Sequence, residues 1–131
     1  MKALFLFLIT ANILLGAPQL LSEVSFSGQT TDATEKVIYT ETVAADGDLL
    51  DVVIVCKAKM SDSSKRENFR LEATVYRISG SAGIEGNVSS VHDQGSGAYD
   101  LNMDTSGTTF RVLAKGTISE TVNFNCKRYL E

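Results

Sequence analysis

Asp48-Leu49-Leu50-Asp51-Val52-Val53-Ile54-Val55-Cys56-Lys57-Ala58-Lys59-Met60 is the stretch that decides the fold. Read at every second position, Leu50, Val52, Ile54, Cys56, Ala58 and Met60 share one side, while Asp51, Lys57 and Lys59 share the other. Side chains of an extended strand point alternately to its two faces, so a two-residue period marks a strand with one face in the core. Glu120 to Tyr129 repeats the pattern: Val122, Phe124 and Cys126 face one way, and Thr121, Asn123, Asn125 and Lys127 the other. Both cysteines therefore lie on an apolar parity, and both thiols are expected to point inward.

Working outward, Val24 and Phe26 alternate within Glu23 to Ser27, and Val37, Tyr39 and Val43 within Glu35 to Ala45. Ala45-Asp46-Gly47-Asp48 reads as a tight turn, because Asp-Gly readily adopts the positive backbone dihedrals of short hairpins. Ser61 to Glu67 is polar throughout and reads as an exposed loop. Phe69, Leu71, Ala73 and Val75 then alternate with Arg70, Glu72, Thr74 and Tyr76. Ser79 to Gly83 is a turn, Ile84 to Val91 a weaker strand, and Asp93 to Gly97 a loop. Tyr99, Leu101 and Met103 oppose Asp100, Asn102 and Asp104, and Phe110, Val112 and Ala114 precede the last strand. About eight short strands separated by turns, with no helix after the first residues, predict an all-β fold: an antiparallel β-sandwich of immunoglobulin-like or jelly-roll-like kind, or a flattened barrel. The expected core sets Leu50, Val52 and Ile54 against Leu71, Val75, Val112, Val122 and Phe124.

The chain has 131 residues with 44% hydrophobic content, enough for one domain and one modest core. Residues 1–22 hold Lys2 and an apolar run from Ala3 to Leu15, and residues 23–131 form the expected single domain. The run has the length of a signal-peptide core and is too short for a stable membrane span, so it reads either as a cleaved leader or as a retained hydrophobic arm. Sixteen acidic residues against twelve basic ones give a net charge of −4, and scattered basic residues argue against nucleic acid as a partner. An export-like leader and two cysteines suggest an oxidising compartment and a Cys56–Cys126 disulfide; the alternative is two buried free thiols. In the chain-entropy model a bridge closing such a loop contributes about 4 kcal/mol.

No catalytic constellation is assembled in the sequence. His92 is the lone histidine, read as lying in a loop, so a histidine-rich metal site has no second imidazole to draw on and any Ser-His-Asp triad would rest on this one residue. Asp100, Asn102 and Asp104 line one strand face and are the candidate calcium ligands, although Thr105 stands where a calcium loop carries glycine. Asp46, Asp48 and Asp51 form a second acidic group, of which the turn explains the first two. Asn87-Val88-Ser89 is a glycosylation sequon, and Tyr39, Tyr76 and Tyr99 are candidates for an aromatic sugar platform. No cofactor is implied.

From Ala73-Thr74-Val75-Tyr76-Arg77 onward, a glycine turn, Ile84 to Val88, Tyr99-Asp100-Leu101, Phe110-Arg111-Val112, Lys115-Gly116 and Thr121-Val122-Asn123-Phe124 follow in order. This succession, over residues 43–126, resembles a β-sandwich domain of tail-fibre and other structural proteins of tailed bacteriophages. Tyr99 and Phe124 stand where those domains usually carry tryptophan. The resemblance implies a non-enzymatic virion protein, tail- or capsid-associated, acting as a homo-oligomer or by docking on other virion proteins, with a host-surface ligand left open. The alternative is a secreted or periplasmic binding module held by its disulfide, with ligand contacts on Ser61 to Glu67 and Asp93 to Gly97.

Overall fold

The computed structural model describes residues 22–93 and 98–131. The apolar segment read over residues 1–22 therefore lies outside the described residues except for Ser22, as does the 93–97 loop except for Asp93. Eight strands follow in chain order: β1 (Ser22–Thr30), β2 (Lys36–Thr42), β3 (Leu49–Met60), β4 (Arg66–Ile78), β5 (Ser81–Asp93), β6 (Asp100–Ser106), β7 (Thr109–Lys115) and β8 (Val122–Leu130). All pairings are antiparallel and form two sheets, one of order β1-β8-β3-β4-β5 and one of order β2-β7-β6. The fold is thus an all-β sandwich, as the alternation predicts.

The deciding stretch becomes β3, the middle strand of the larger sheet, which explains why its signal is the clearest. With neighbours on both edges and a sheet packed on one face, its inward positions lose nearly all contact with solvent. Val52, Ile54, Cys56 and Ala58 are buried, and so are Phe69, Leu71, Ala73 and Val75 on β4 and Val122, Phe124 and Cys126 on β8. The smaller sheet closes the core with Leu101, Met103, Phe110, Val112 and Ala114. Phe110 and Phe124 are the largest wholly buried side chains.

The two sheets approach each other at both flanks. At one, Ala82 on β5 donates its amide to the Gly107 carbonyl between β6 and β7 at 2.8 Å. At the other, the register of β2 against β7 shifts between Val37 and Tyr39, so Ile38 is an extra residue, and it packs against Gly28 of β1. A Cβ on Gly28 would lie 2.3 Å from Ile38 Cγ2, so only glycine lets β1 and the bulged β2 come this close. Short turns set the hairpins. Ser79 and Gly80 both take positive φ (52° and 77°) between β4 and β5, the pairing that matches strand twist in a two-residue loop.

Cys56 and Cys126 are joined in a disulfide, and they are register partners on adjacent strands of one sheet. The bridge therefore locks the β3–β8 ladder and spans 70 residues of sequence. It does not tie one sheet to the other; side chains of opposite charge do that.

Candidate functional site

Charged residues on inward parities are the feature that alternation alone does not explain. Arg128 follows Phe124 and Cys126 on the inner side of β8 and is 4% exposed. An unpaired buried guanidinium is costly, so it must find partners. They come from two strands: Glu41 Oε1 of β2 accepts from Nη2 at 2.5 Å, and the Ser22 carbonyl and hydroxyl of β1 accept from Nη1 at 2.9 and 3.0 Å. Tyr39 donates its hydroxyl to the same Glu41 oxygen at 2.5 Å and stacks on Phe26 with ring centres 4.4 Å apart. Burial, with the hydrogen bond to Glu41 adding to it, raises the Tyr39 pKa, so the phenol stays protonated and remains a donor.

The second junction is built around Glu67, on the same inward parity of β4 as Phe69 and 2% exposed. Its Oε2 accepts the Tyr99 amide at 2.9 Å, and its Oε1 lies 3.3 Å from His92 Nε2. His92 in turn stacks flat on Phe69, ring centres 4.2 Å apart. Tyr99 donates its hydroxyl to Glu120 at 3.2 Å, and Glu120 also pairs with Lys65. Burial, followed by the nearby Glu120 carboxylate, pushes the Tyr99 pKa up to about 12. The cluster draws on β4, β5, the segment before β6 and the one before β8, and so fastens that end of the sandwich.

Several expectations are corrected here. Arg66 and Glu67 belong to β4, and Glu67 is buried, so the exposed loop ends at Lys65. The cause is the inward partner Ala58 across the ladder, which continues the core face one pair further than composition indicates. His92 is in β5 and not in a loop. The three tyrosines do not form a platform. Tyr39 packs between the sheets, Tyr99 is buried, and Tyr76 lies on the outer face, its ring over Gly83 where a Cβ would come within 2.5 Å.

Two of the three calcium candidates, Asp100 and Asp104, have other partners. Arg111, opposite Asp104 in the β6–β7 ladder, binds both its carboxylate oxygens, at 2.7 and 2.5 Å, and Asp100 accepts the Leu101 amide. Among the described residues no three His, Cys, Asp or Glu side chains gather as a metal group. Asp46 is bound by Arg77 and the Gly80 amide, Asp48 by the Ala45 amide, and Asp51 by Thr74. Asn87 of the sequon is exposed on β5. A shallow depression of about 500 Å³ lies on the outer face of the larger sheet, between Ser25, Ser27, Val55, Lys57 and Lys127.

Sequence reading missed Arg128 and Glu67, and its own periodicity held the signal. Each is a charge standing on an otherwise apolar parity, which demands a buried partner.

No protein-family model and no curated protein matches the chain. Among solved structures it is similar to the tailspike protein of Acinetobacter baumannii phage AM24, at 12% identity and a TM-score of 0.35. The likeness covers 84% of this chain and 25% of that one, so this chain spans a quarter of that protein's length, and it assigns no role.

Proposed function

We propose that this chain is a non-enzymatic structural component of a virus particle, tail- or capsid-associated, that works by self-association or docking. One observation carries the reading: the buried charges Arg128 and Glu67 tie strands together, Arg128 through Glu41 and Ser22 and Glu67 through the Tyr99 amide. General acid–base work needs a positioned group with access to a substrate. Arg128 is spent on Glu41 and Ser22, and Glu67 Oε2 on the Tyr99 amide, while Glu67 Oε1 and His92 Nε2 lie 3.3 Å apart without a hydrogen bond. The strand succession from Ala73 to Phe124, similar to that of phage tail-fibre sandwiches, supports the same role. Mass spectrometry of density-purified particles tests it. The expected result is this chain in stoichiometric amount with the coat or tail proteins; its absence from purified particles ends the reading.

The disulfide favours a second reading, a secreted or periplasmic binding module, because such bridges persist in oxidising compartments. N-terminal sequencing of the mature product separates the two. A start near Glu23 supports export, and a start at Met1 or Lys2 supports a retained arm. Cleavage before Ser22 keeps the two oxygens that hold Arg128, whereas cleavage after it removes them.

A further inference from the structure

The outward side chains of the larger sheet change sign along the strands. On β3 they run Leu49, Asp51, Val53, Val55, Lys57, Lys59. The neighbours continue the trend: Glu72 lies opposite Val53, Glu85 opposite Thr74 and Glu23 opposite Tyr129, while the Glu131 amide bonds to the Asp51 carbonyl. Past Val55 the outward charges are Arg70 and Lys127 on either side of it, then Arg66 beside Lys59. Among the described side chains, the carboxylates of this face lie on the Leu49 side and the cations on the Met60 side; on the edge strand, Asp93 stands at the register position opposite Asn68. At the boundary the halves are stitched by Arg70–Glu72 (2.7 Å) and Lys127–Glu23 (2.8 Å). Away from it Lys57, Lys59 and Arg66 have no acidic partner among the described residues.

A surface shaped only for solubility intersperses its signs; segregation on one flat face creates a directed field. The chain as a whole is acidic, at −4, so an isolated basic half is the more notable. A long polyanion laid along the strands would run from the cations onto the carboxylates. A second copy of the same face, turned end for end, sets Asp51 against Lys57 and Glu72 against Arg70.

Resting on the self-association proposed above, we infer that this outer face is a homodimer interface, related by a two-fold axis that lies in the plane of the face and runs across the strands between Val53 and Val55. Charge selects that axis. A two-fold axis parallel to the strands sets Asp51 over Asp51 and Lys57 over Lys57, whereas the transverse axis sets Lys57 over Asp51 and Arg70 over Glu72. A closed two-fold contact uses the same patch on each copy, as a self-complementary face requires. Its centre is Val53, Val55 and Tyr129, each half-buried, flanked by the Arg70–Glu72 and Lys127–Glu23 pairs. Five strands at about 4.8 Å spacing and ten residues at about 3.3 Å rise offer roughly 800 Å² per copy, the standard size for a stable complex.

Sedimentation equilibrium of the full chain tests this. The wild type is expected to be a dimer that weakens in ~0.5 M salt, where screening shortens to a few Å. Lys57→Glu alone and Asp51→Lys alone are each expected to weaken the dimer by about tenfold or more, since like charges then oppose. The two changes combined in one chain restore opposite charges across the axis and are expected to restore association. Circular dichroism and thermal melts of each variant check that the fold is retained. A wild-type monomer at low salt overturns the inference, and one that is also retained on a heparin column reassigns the basic half to a polyanion. An oligomer indifferent to both single changes assembles through another surface; that outcome ends the claim for this face and leaves the structural role standing. Failure of the combined variant to recover, with its fold intact, overturns the axis. The presence or absence of the chain in purified particles is read separately and bears only on the role.

Discussion

The two faces of β3 carry different kinds of information. Its inward face, Val52 to Ala58, is apolar and buried at every second position, and it would serve equally well in almost any sandwich of this size. Its outward face holds fewer hydrophobic groups, and the order along the strand matters: Asp51 towards one end, valines in the middle, Lys57 and Lys59 at the other. Burial is indifferent to direction along a strand, since the hydrophobic effect scales with area removed from water. Charge order is not, because reversing it changes what can dock. Fold and recognition are thus written on alternate residues of one segment.

The largest expected difference between these faces is energetic. Phe124→Ala, inside and wholly buried, should lower unfolding free energy by about 3–5 kcal/mol, because the transfer loss is compounded by a cavity. Lys57→Glu, outside, should stay within about 0.5 kcal/mol. Urea unfolding of the two variants at protein concentrations below the association range measures both; a comparable loss in each would erase the distinction.

Removing the bridge comes next. A Cys56→Ala/Cys126→Ala chain should lose about 2–4 kcal/mol, since the cross-link limits the unfolded chain over a 70-residue separation. The bridge lies within one sheet, so the loss should appear first as weakened β3–β8 pairing. Hydrogen exchange that speeds up at Ile54 to Ala58 before the β6–β7 ladder is the expected signature, and uniform acceleration would contradict it.

Arg128→Met probes the charged exceptions on the inner face. It leaves Glu41 with Tyr39 as donor but without its cation, and about 2 kcal/mol of stability should be lost, tempered by the partial exposure of Glu41. Tyr99→Phe reads the other junction through pH. The folded pKa of about 12 lies above the ordinary 10, so below pH 10 the phenol is protonated in both states and adds no pH dependence. Between about pH 10 and 12 the unfolded chain ionises while the folded one does not, and stability falls as pH rises by about 1.4 kcal/mol per unit at most. Alkaline melts of the wild type should show that slope, and Tyr99→Phe should flatten it.

Much of the inner face was legible in the sequence. The alternation in β3, β4 and β8 depends only on strand geometry and burial, and a central strand shows it without interruption. The ends were less legible. Glu67 sits where a polar turn passes into β4, and composition favours the turn; only the ladder partner Ala58 shows that the core continues there. His92 was placed in a loop because β5 is an edge strand with a register shift opposite Glu72 and Thr74, which breaks its period. The outer charge order was present residue by residue, yet it becomes a pattern only when registers align Lys59 with Arg66, and Glu23 with Tyr129. Strand pairing between distant segments is what a single chain's periodicity does not contain.

The smallest effect is the most discriminating. Arg70 and Glu72 pair at 2.7 Å on the outer face with both side chains about half exposed, 52% and 51%. An ion pair so placed gives up hydration and side-chain freedom for a screened attraction, and contributes roughly 0–1 kcal/mol at most. Glu72→Gln should therefore leave the monomer's unfolding midpoint in urea almost unmoved. The same carboxylate lies beside the proposed two-fold axis, where a second copy's cations approach a surface that excludes part of the water. If the face is an interface, the substitution should weaken self-association measurably while stability stays constant, and added salt should narrow the gap between variant and wild type. Equal association at all salt concentrations would mean that Glu72 serves only its neighbour on β4, and that the order of charges on this face has no reader.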